Sequence, residues 1–313
     1  MSPEPTTAFA FPGVGVRLCG HEPGWVARHP KAFRPLLRLA SERAGVELAS
    51  RLEGGGFEAL DDRARQLLTF AFSAGLWRVL GARARPVALA ATSFGVYAAL
   101  EAAGSLPFAD AMAALERAEA VVAETARGVG GGLGVVLGMD GADLAALLDD
   151  PRRRSLCLVN QNSDLCCVVA GLRRELEDFL RECASLGALK AELLEVALPY
   201  HHPRLLAGAS ERFRGFLAGL RWRPAAVPVI SSLDRRWLRE PEELADFTAR
   251  NIAEPISWRA VVAELHARGV RRLVECGPGL SLTQNGRFMP YELAYLNVRS
   301  AGRALGLEPG AAP

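Results

Sequence analysis

Short apolar runs separated by longer stretches with helical spacing set the architecture of this chain. Ala8–Gly15 is one, a short apolar strand breaking into the Gly-rich loop Pro12-Gly13-Val14-Gly15. Pro86–Ala90 is a second, of the kind a strand buried on both faces shows. Val227–Ser231, Arg272–Cys276 and Leu293–Val298 complete the set in the C-terminal half. Between them, apolar residues recur with helical spacing over Phe33–Ala44, Asp61–Leu80, Val96–Ala103, Phe108–Arg127, Leu205–Leu220, Glu242–Asn251 and Trp258–Arg268. Strands alternating with helices predict an α/β sheet covered on both faces.

The pattern changes at the glycine cluster Gly128–Gly132. Strand-like runs at Gly132–Met139, Leu156–Asn160, Leu165–Ala170 and Ala191–Val196 enclose helical patterns at Gly141–Asp149 and Arg173–Leu186. The order βαββαβ over one short stretch is that of a ferredoxin-like unit. We therefore expect a large subdomain from residues 1–127 and 198–313 and a small, inserted one from 128–197. A Gly/Pro-rich tail to Pro313 is expected to fray.

The candidate chemistry lies in the second run and its helix. Ala91-Thr92-Ser93-Phe94-Gly95 is close to G-x-S-x-G, with alanine for the first glycine. Flanked by strand and helix, that motif is a nucleophile elbow, in which a sharp turn lifts Ser93 clear of the sheet. A serine nucleophile needs a base, and the chain has five histidines. His21 and His29 fall in a loop and His266 inside a helix. His201 and His202 directly follow a strand-like segment, in the position that lines the crevice of an α/β sheet. Spacing alone leaves His201 and His202 both open. No acidic residue stands out to orient the imidazole, and a backbone or amide oxygen can do so instead.

Composition changes this picture little but excludes some classes. The net charge of +2 over 313 residues gives no nucleic-acid or membrane-surface signature. Lysine occurs only at positions 31 and 190. The six cysteines lack metal-ligand spacing, and free thiols are expected, as in a reducing, cytoplasmic setting. No run reaches membrane-spanning length. No metal and no bound organic cofactor is expected.

Several stretches, in order along almost the whole chain, resemble the malonyl-CoA:acyl carrier protein transacylases and the acyltransferase domains of polyketide synthases. Phe11-Pro12-Gly13-Val14-Gly15 is similar to the family's F-P-G-Q-G loop, and Gln66 falls where an early helix carries glutamine. Ala91–Gly95 with Tyr97-Ala98-Ala99 resembles G-H-S-x-G-E-Y-A-A. Val159–Ser163 with Val168–Gly171 resembles N-x-N-[SA]-P-G-Q-V-V-[IV]-[SA]-G, and His201-His202-Pro203 resembles H-S-P, which selects His201. Asn251–Pro255 with Trp258, and Val274–Gly279, are similar to Q-L-x-x-P-V-x-W and V-E-V-G-P-G.

The resemblance implies a hydrolase-like core with a ferredoxin-like insert. It also implies a Ser93–His201 dyad working by a ping-pong acyl-enzyme route, and an oxyanion hole from the Val14 and Phe94 N–H groups. A carbonyl near Asn251 would orient His201, and the pocket would include Gln66, Ala118, Asn162, Tyr200 and Asn251. The implied partners are acidic, phosphopantetheinylated acyl carrier proteins, with Arg153 and Arg299 as docking candidates. Departures from the pattern matter as much. The arginine that pairs with a malonyl carboxylate falls on Ala118, and Arg117 lies about 100° away round the helix. Thr92, Val96 and the triplet Leu198-Pro199-Tyr200 replace other polar family residues. The expected acyl group is therefore non-carboxylated, aminoacyl or dipeptidyl, as in the discrete acyltransferases of macrolactam polyketide (antibiotic) biosynthesis. An editing acyl-carrier hydrolase and a malonyl-CoA:carrier transacylase are the alternatives.

Overall fold

The computed structural model describes residues 6–307, so the frayed-tail expectation lies outside the described residues beyond Leu307. Ten strands form two sheets. They are β1 (Thr7–Phe11), β2 (Ala88–Ala91), β3 (Gly131–Leu137), β4 (Cys157–Ser163), β5 (Cys166–Leu172), β6 (Lys190–Leu193), β7 (Val229–Ile230), β8 (Trp237–Leu238), β9 (Arg272–Glu275) and β10 (Ala294–Leu296).

The first sheet has the order β10-β9-β1-β2-β7-β8 and is parallel except for β8, which pairs antiparallel with β7. Every residue of β1 and β2 is buried, which explains their unbroken apolar runs. The two faces of β1 differ in size. Phe9 and Phe11 point to the helices Pro30–Ala44 and Asp62–Ala84, with Phe9 edge-on to Trp77 at 5.2 Å. Ala8 and Ala10, with Ala88 and Ala90 of β2, leave room on the other face for Trp258 of the helix Trp258–Ala267. Period-two alternation of large and small side chains thus sets the distance of each helix layer from the sheet.

The second sheet, order β4-β5-β3-β6, is antiparallel throughout. Its helices Gly141–Leu148 and Arg173–Ser185 pack Leu144, Leu176, Phe179, Leu180 and Cys183 onto Val136, Cys167 and Val169. This is the βαββαβ arrangement expected from the sequence. Where the two sheets meet, the Ile256 N–H donates to the Val159 carbonyl at 2.9 Å and the Trp258 N–H to Asn160 Oδ1 at 3.3 Å.

Two local expectations shift, and one short strand had not been expected. The second strand begins at Ala88, because Pro86 has no N–H to give a ladder and the Val87 N–H is spent on the Thr7 carbonyl. The helix expected from Leu205 begins only at Ala209, after Gly208 in the left-handed region (φ 79°) has turned the chain. The strand β8 has two residues, too few for any period to show.

Candidate active site

The turn between β2 and the helix Gly95–Ala102 places Ser93 in the left-handed region, φ 51°, costly for a residue with a Cβ. The surroundings fix this conformation. The Asn251 amide donates to the Ser93 carbonyl at 3.2 Å, and the Thr92 N–H donates to the Phe11 carbonyl at 3.2 Å. Gly95 is what lets the elbow close against β1. A Cβ there would stand 2.2 Å from the Phe11 carbonyl oxygen and 2.8 Å from that of Pro12, both backbone atoms with nowhere to go. Gly95→Ala is therefore expected to destabilise the fold by about 3 kcal/mol or more, enough to lower Tm by about 5–10 °C in thermal unfolding. An unchanged Tm would mean that the turn relaxes freely.

His201 completes the pair. Ser93 Oγ and His201 Nε2 are 2.8 Å apart, and His201 Nδ1 lies 3.2 Å from the Glu254 carbonyl oxygen. A carbonyl only accepts, so Nδ1 carries the proton and Nε2 is the free base facing the serine hydroxyl. The ring is fixed from behind as well, since the His201 N–H donates to the Ile252 carbonyl at 3.0 Å, and His201 is itself at φ 65°. Burial pushes the imidazole down to about 4, opposed by the Glu254 and Asn251 backbone oxygens. The base is thus neutral at ordinary pH.

His202 is engaged elsewhere. Its Nε2 donates to the Ser155 carbonyl at 2.8 Å and its Nδ1 accepts the Leu205 N–H at 3.2 Å, clamping the turn to the small sheet. This decides between the adjacent histidines. The orienting carbonyl belongs to Glu254, three residues beyond the position expected near Asn251. The cysteines are poor rivals as nucleophiles: burial pushes Cys167 to about 12 and Cys183 to about 11.

Two backbone donors flank the serine. The N–H groups of Val14 and Phe94 have no acceptor among the described residues, and Phe94 begins the helix whose N-terminus lies beneath Ser93. Gly13 lets the Val14 loop come this close, since a Cβ at 13 would stand 2.7 Å from the Thr92 carbonyl oxygen. Beside this loop lies a cavity of about 430 Å3, lined by Val14, Arg17, Asp62, Gln66, Thr69 and the chain from Glu192 to Val196. It is the gap between the helix Asp62–Ala84 and the end of β6. A larger groove of about 650 Å3, lined by Asp234–Trp237, Arg239 and Arg268, opens on the β7–β8 edge and includes neither Ser93 nor His201.

The other sequence-derived residues divide. Gln66 lines the cavity, and Tyr200 is buried edge-on to Phe94 at 5.1 Å with its hydroxyl facing the Gln66 amide. Ala118 is fully buried among the helices and is absent from the wall of that cavity, while Arg117 turns away to Glu124 at 3.1 Å. Asn251 is not a pocket wall; it buttresses the elbow. Asn162 is a correction too. It stays in the β4–β5 hairpin, accepting from Asn160 at 2.8 Å and facing Cys166, and is absent from the cavity wall. Residues that sequence reasoning missed are Glu254, whose part is played by its main chain, and Glu119, whose buried Oε2 has no partner among the described residues.

The docking candidates also separate. Arg299 is exposed beside Cys19, whereas Arg153 is committed to Glu182 at 2.6 Å, to the Leu147 carbonyl and to the Phe179 ring, with 15% of its side chain exposed. As a free cation for a partner, Arg153 does not hold. Among the described residues, no helix is long and apolar enough to cross a membrane and no side-chain cluster could hold a metal ion.

No family model matches the chain. It is 29% identical over 280 residues to the malonyl CoA-acyl carrier protein transacylase of Salmonella typhimurium, covering 88% of this chain and 90% of that protein. It is 29% identical over 283 residues to the polyketide biosynthesis protein ThaF of Burkholderia thailandensis, covering 88% of this chain but 23% of ThaF. Among solved structures, a malonyl-CoA:acyl carrier protein transacylase from Xanthomonas oryzae pv. oryzae superposes with TM-score 0.86 at 28% identity, over 98% of this chain and 99% of that one. A type II PKS acyl-carrier protein in complex with its malonyl-transacylase supplies another match, TM-score 0.86 at 25% identity, over 96% and 99%. In sequence and in fold, the chain is similar to the malonyl-CoA:acyl carrier protein transacylases and to acyltransferases of polyketide biosynthesis.

Proposed function

We propose that this chain is an acyl-carrier-protein acyltransferase of fatty acid or polyketide biosynthesis, acting through an acyl-enzyme on Ser93. The observation that carries this reading is the 2.8 Å contact between Ser93 Oγ and a neutral His201 Nε2. As Oγ attacks the carbonyl carbon of an acyl thioester, Nε2 takes the hydroxyl proton, and the Glu254 carbonyl stabilises the imidazolium through Nδ1–H. The oxyanion of the tetrahedral intermediate falls to the unpartnered N–H groups of Val14 and Phe94. Collapse breaks the C–S bond, the departing thiolate takes the proton from Nε2, and the acyl group stays on Ser93. The thiol of a carrier protein then attacks the ester, giving its proton to Nε2, which returns it to Oγ. Backbone donors explain why Val14 is compatible with the chemistry.

For the acyl group, we favour one without a carboxylate, aminoacyl or dipeptidyl, as in macrolactam assembly. Ala118 offers no cation, Arg117 is turned away, and of the arginines on the cavity wall Arg65 is held by Asp62 at 2.8 Å and Glu195 at 3.7 Å. Arg17 lies at the exposed mouth. The named relatives favour a second reading, malonyl taken from malonyl-CoA. The complex of a related transacylase with its carrier supports a carrier protein as partner, with exposed Arg299 as the remaining docking candidate.

The test is a two-carrier assay. Malonyl-, acetyl- and aminoacyl-loaded carriers are each incubated with the protein and an empty second carrier, and both are weighed by intact-mass spectrometry. Aminoacyl transfer without malonyl transfer is expected. Malonyl transfer would return the chain to the extender-unit activity of its relatives, and release of free acid would identify an editing hydrolase.

A further inference from the structure

The two edges of the small sheet differ. At one, β4 is covered, with Asn160 bridging to Ile256 and the helix Trp258–Ala267 packed beside it. At the other, β6 pairs with β3 alone. The Leu194 N–H donates to the Leu133 carbonyl at 2.9 Å, and with the β3–β6 register this fixes which groups face β3. Lys190 and Glu192 turn their N–H and C=O toward β3. Those of Ala191 and Leu193, and by the same alternation Leu189, point away from the sheet. The N–H groups of these three have no acceptor among the described residues.

A bare edge of this kind is a template for another strand. Its side chains do not repel one. Lys190 is held by Glu192 of the same strand at 2.6 Å, so the edge carries no net charge. Leu189 and Leu186, just ahead of it, are 81% and 56% exposed, the most exposed large hydrophobic side chains among the described residues. The segment Leu189-Lys190-Ala191-Glu192-Leu193 has the same apolar positions read from either end, with its two charges exchanged. Turned about a two-fold axis at its centre, it complements itself.

We infer that two copies of this chain pair antiparallel along β6, about a two-fold axis at Ala191, joining their small sheets into one. Ala191 faces Ala191 of the second copy, and Leu189 faces Leu193 of the second copy, at the positions that exchange backbone hydrogen bonds. Lys190 stands opposite Glu192 of the second copy at the closer, non-hydrogen-bonded position, where opposite charges across strands stabilise the pair. The neighbouring registers fail. An axis at Lys190 or at Glu192 sets like charges face to face, and one at Leu189 or at Leu193 sets both charges opposite uncharged residues. The pairing also takes Leu189 out of water. Leu193 lines the 430 Å3 cavity, so Leu189 of the second copy comes to its rim, and each cavity is bordered by both chains.

The test is the mass of the full chain in solution, by sedimentation or light scattering, from about 1 to 100 µM. A rise from 33.5 kDa toward twice that value is expected. Ala191→Pro is expected to abolish the rise and keep the fold, because the Ala191 N–H gives nothing to β3. Lys190→Glu alone, or Glu192→Lys alone, is expected to raise the dissociation constant by about tenfold or more. The two substitutions together oppose unlike charges again and are expected to restore the dimer. Should the proline variant fail to fold, the charge variants decide, since a misfolded edge is not rescued by exchanging its charges. A mass of 33.5 kDa at every concentration overturns the inference. So does a dimer that survives in folded Ala191→Pro, or one that neither single charge substitution weakens.

Discussion

Ser93→Ala is expected to abolish the acyl adduct and to lower transfer between carriers by about 10⁴-fold or more. The loss is large because Oγ is the only atom of the site that bonds to the acyl carbon. His201 without it can at most activate water. Folding is expected to survive or improve, since alanine removes no more than one hydrogen bond, the Oγ–Nε2 contact. The left-handed conformation at 93 costs alanine about what it costs serine. Thermal unfolding therefore separates a chemical loss from a structural one. A variant that keeps its Tm but loses the adduct behaves as expected, and one that keeps transfer would move the nucleophile elsewhere.

The second large effect is in pH. With the His201 imidazole pushed down to about 4, the acidic limb of kcat/KM is expected near pH 4, with no inflection at the ordinary histidine value near 6.5. The same shift enters stability. An unfolded histidine binds a proton below about pH 6.5 while the folded one stays neutral until about pH 4, so the unfolded state takes up more protons in that window. Stability present above pH 6.5 is thus lost as pH falls toward 4. The interval corresponds to about 3 kcal/mol. His201→Asn, a side chain that tolerates the left-handed backbone, should remove this contribution, so denaturant titrations at pH 7.5 and pH 4 differ less in the variant by about that amount. An inflection of kcat/KM near 6.5 would mean that the ring is solvated when substrate arrives.

How far the sequence foretold this site depends on which residues are local to one another. The elbow was legible because its whole requirement lies within five residues. An apolar run, a serine and a glycine where the backbone of β1 comes within 2.2 Å of a Cβ are all consecutive or nearly so. The ferredoxin-like sheet was legible for a similar reason, its order following from alternating periods. The choice of His201 over His202 was not legible from spacing. It depends on Glu254 and Ser155, which come from distant segments and take one imidazole each. Arg153 and Asn162 misled for the same cause. Glu182 neutralises the first from 29 residues away, and Asn160 turns the second into its own hairpin. Glu119 gave no sequence signal, since an acid three residues after Glu116 and five before Glu124 reads as part of a solvated face. Only the fold shows that one of its oxygens is buried.

The central claim is that Ser93 carries the acyl group between thiols. The most direct measurement is to mix the protein with an acyl-loaded carrier, quench it, digest it and map the added mass to a peptide. The account predicts the acyl mass on the peptide containing Ser93, discharged on adding a second carrier thiol and absent in Ser93→Ala. Mass on any other residue, or transfer between carriers with Ser93 replaced, would contradict it.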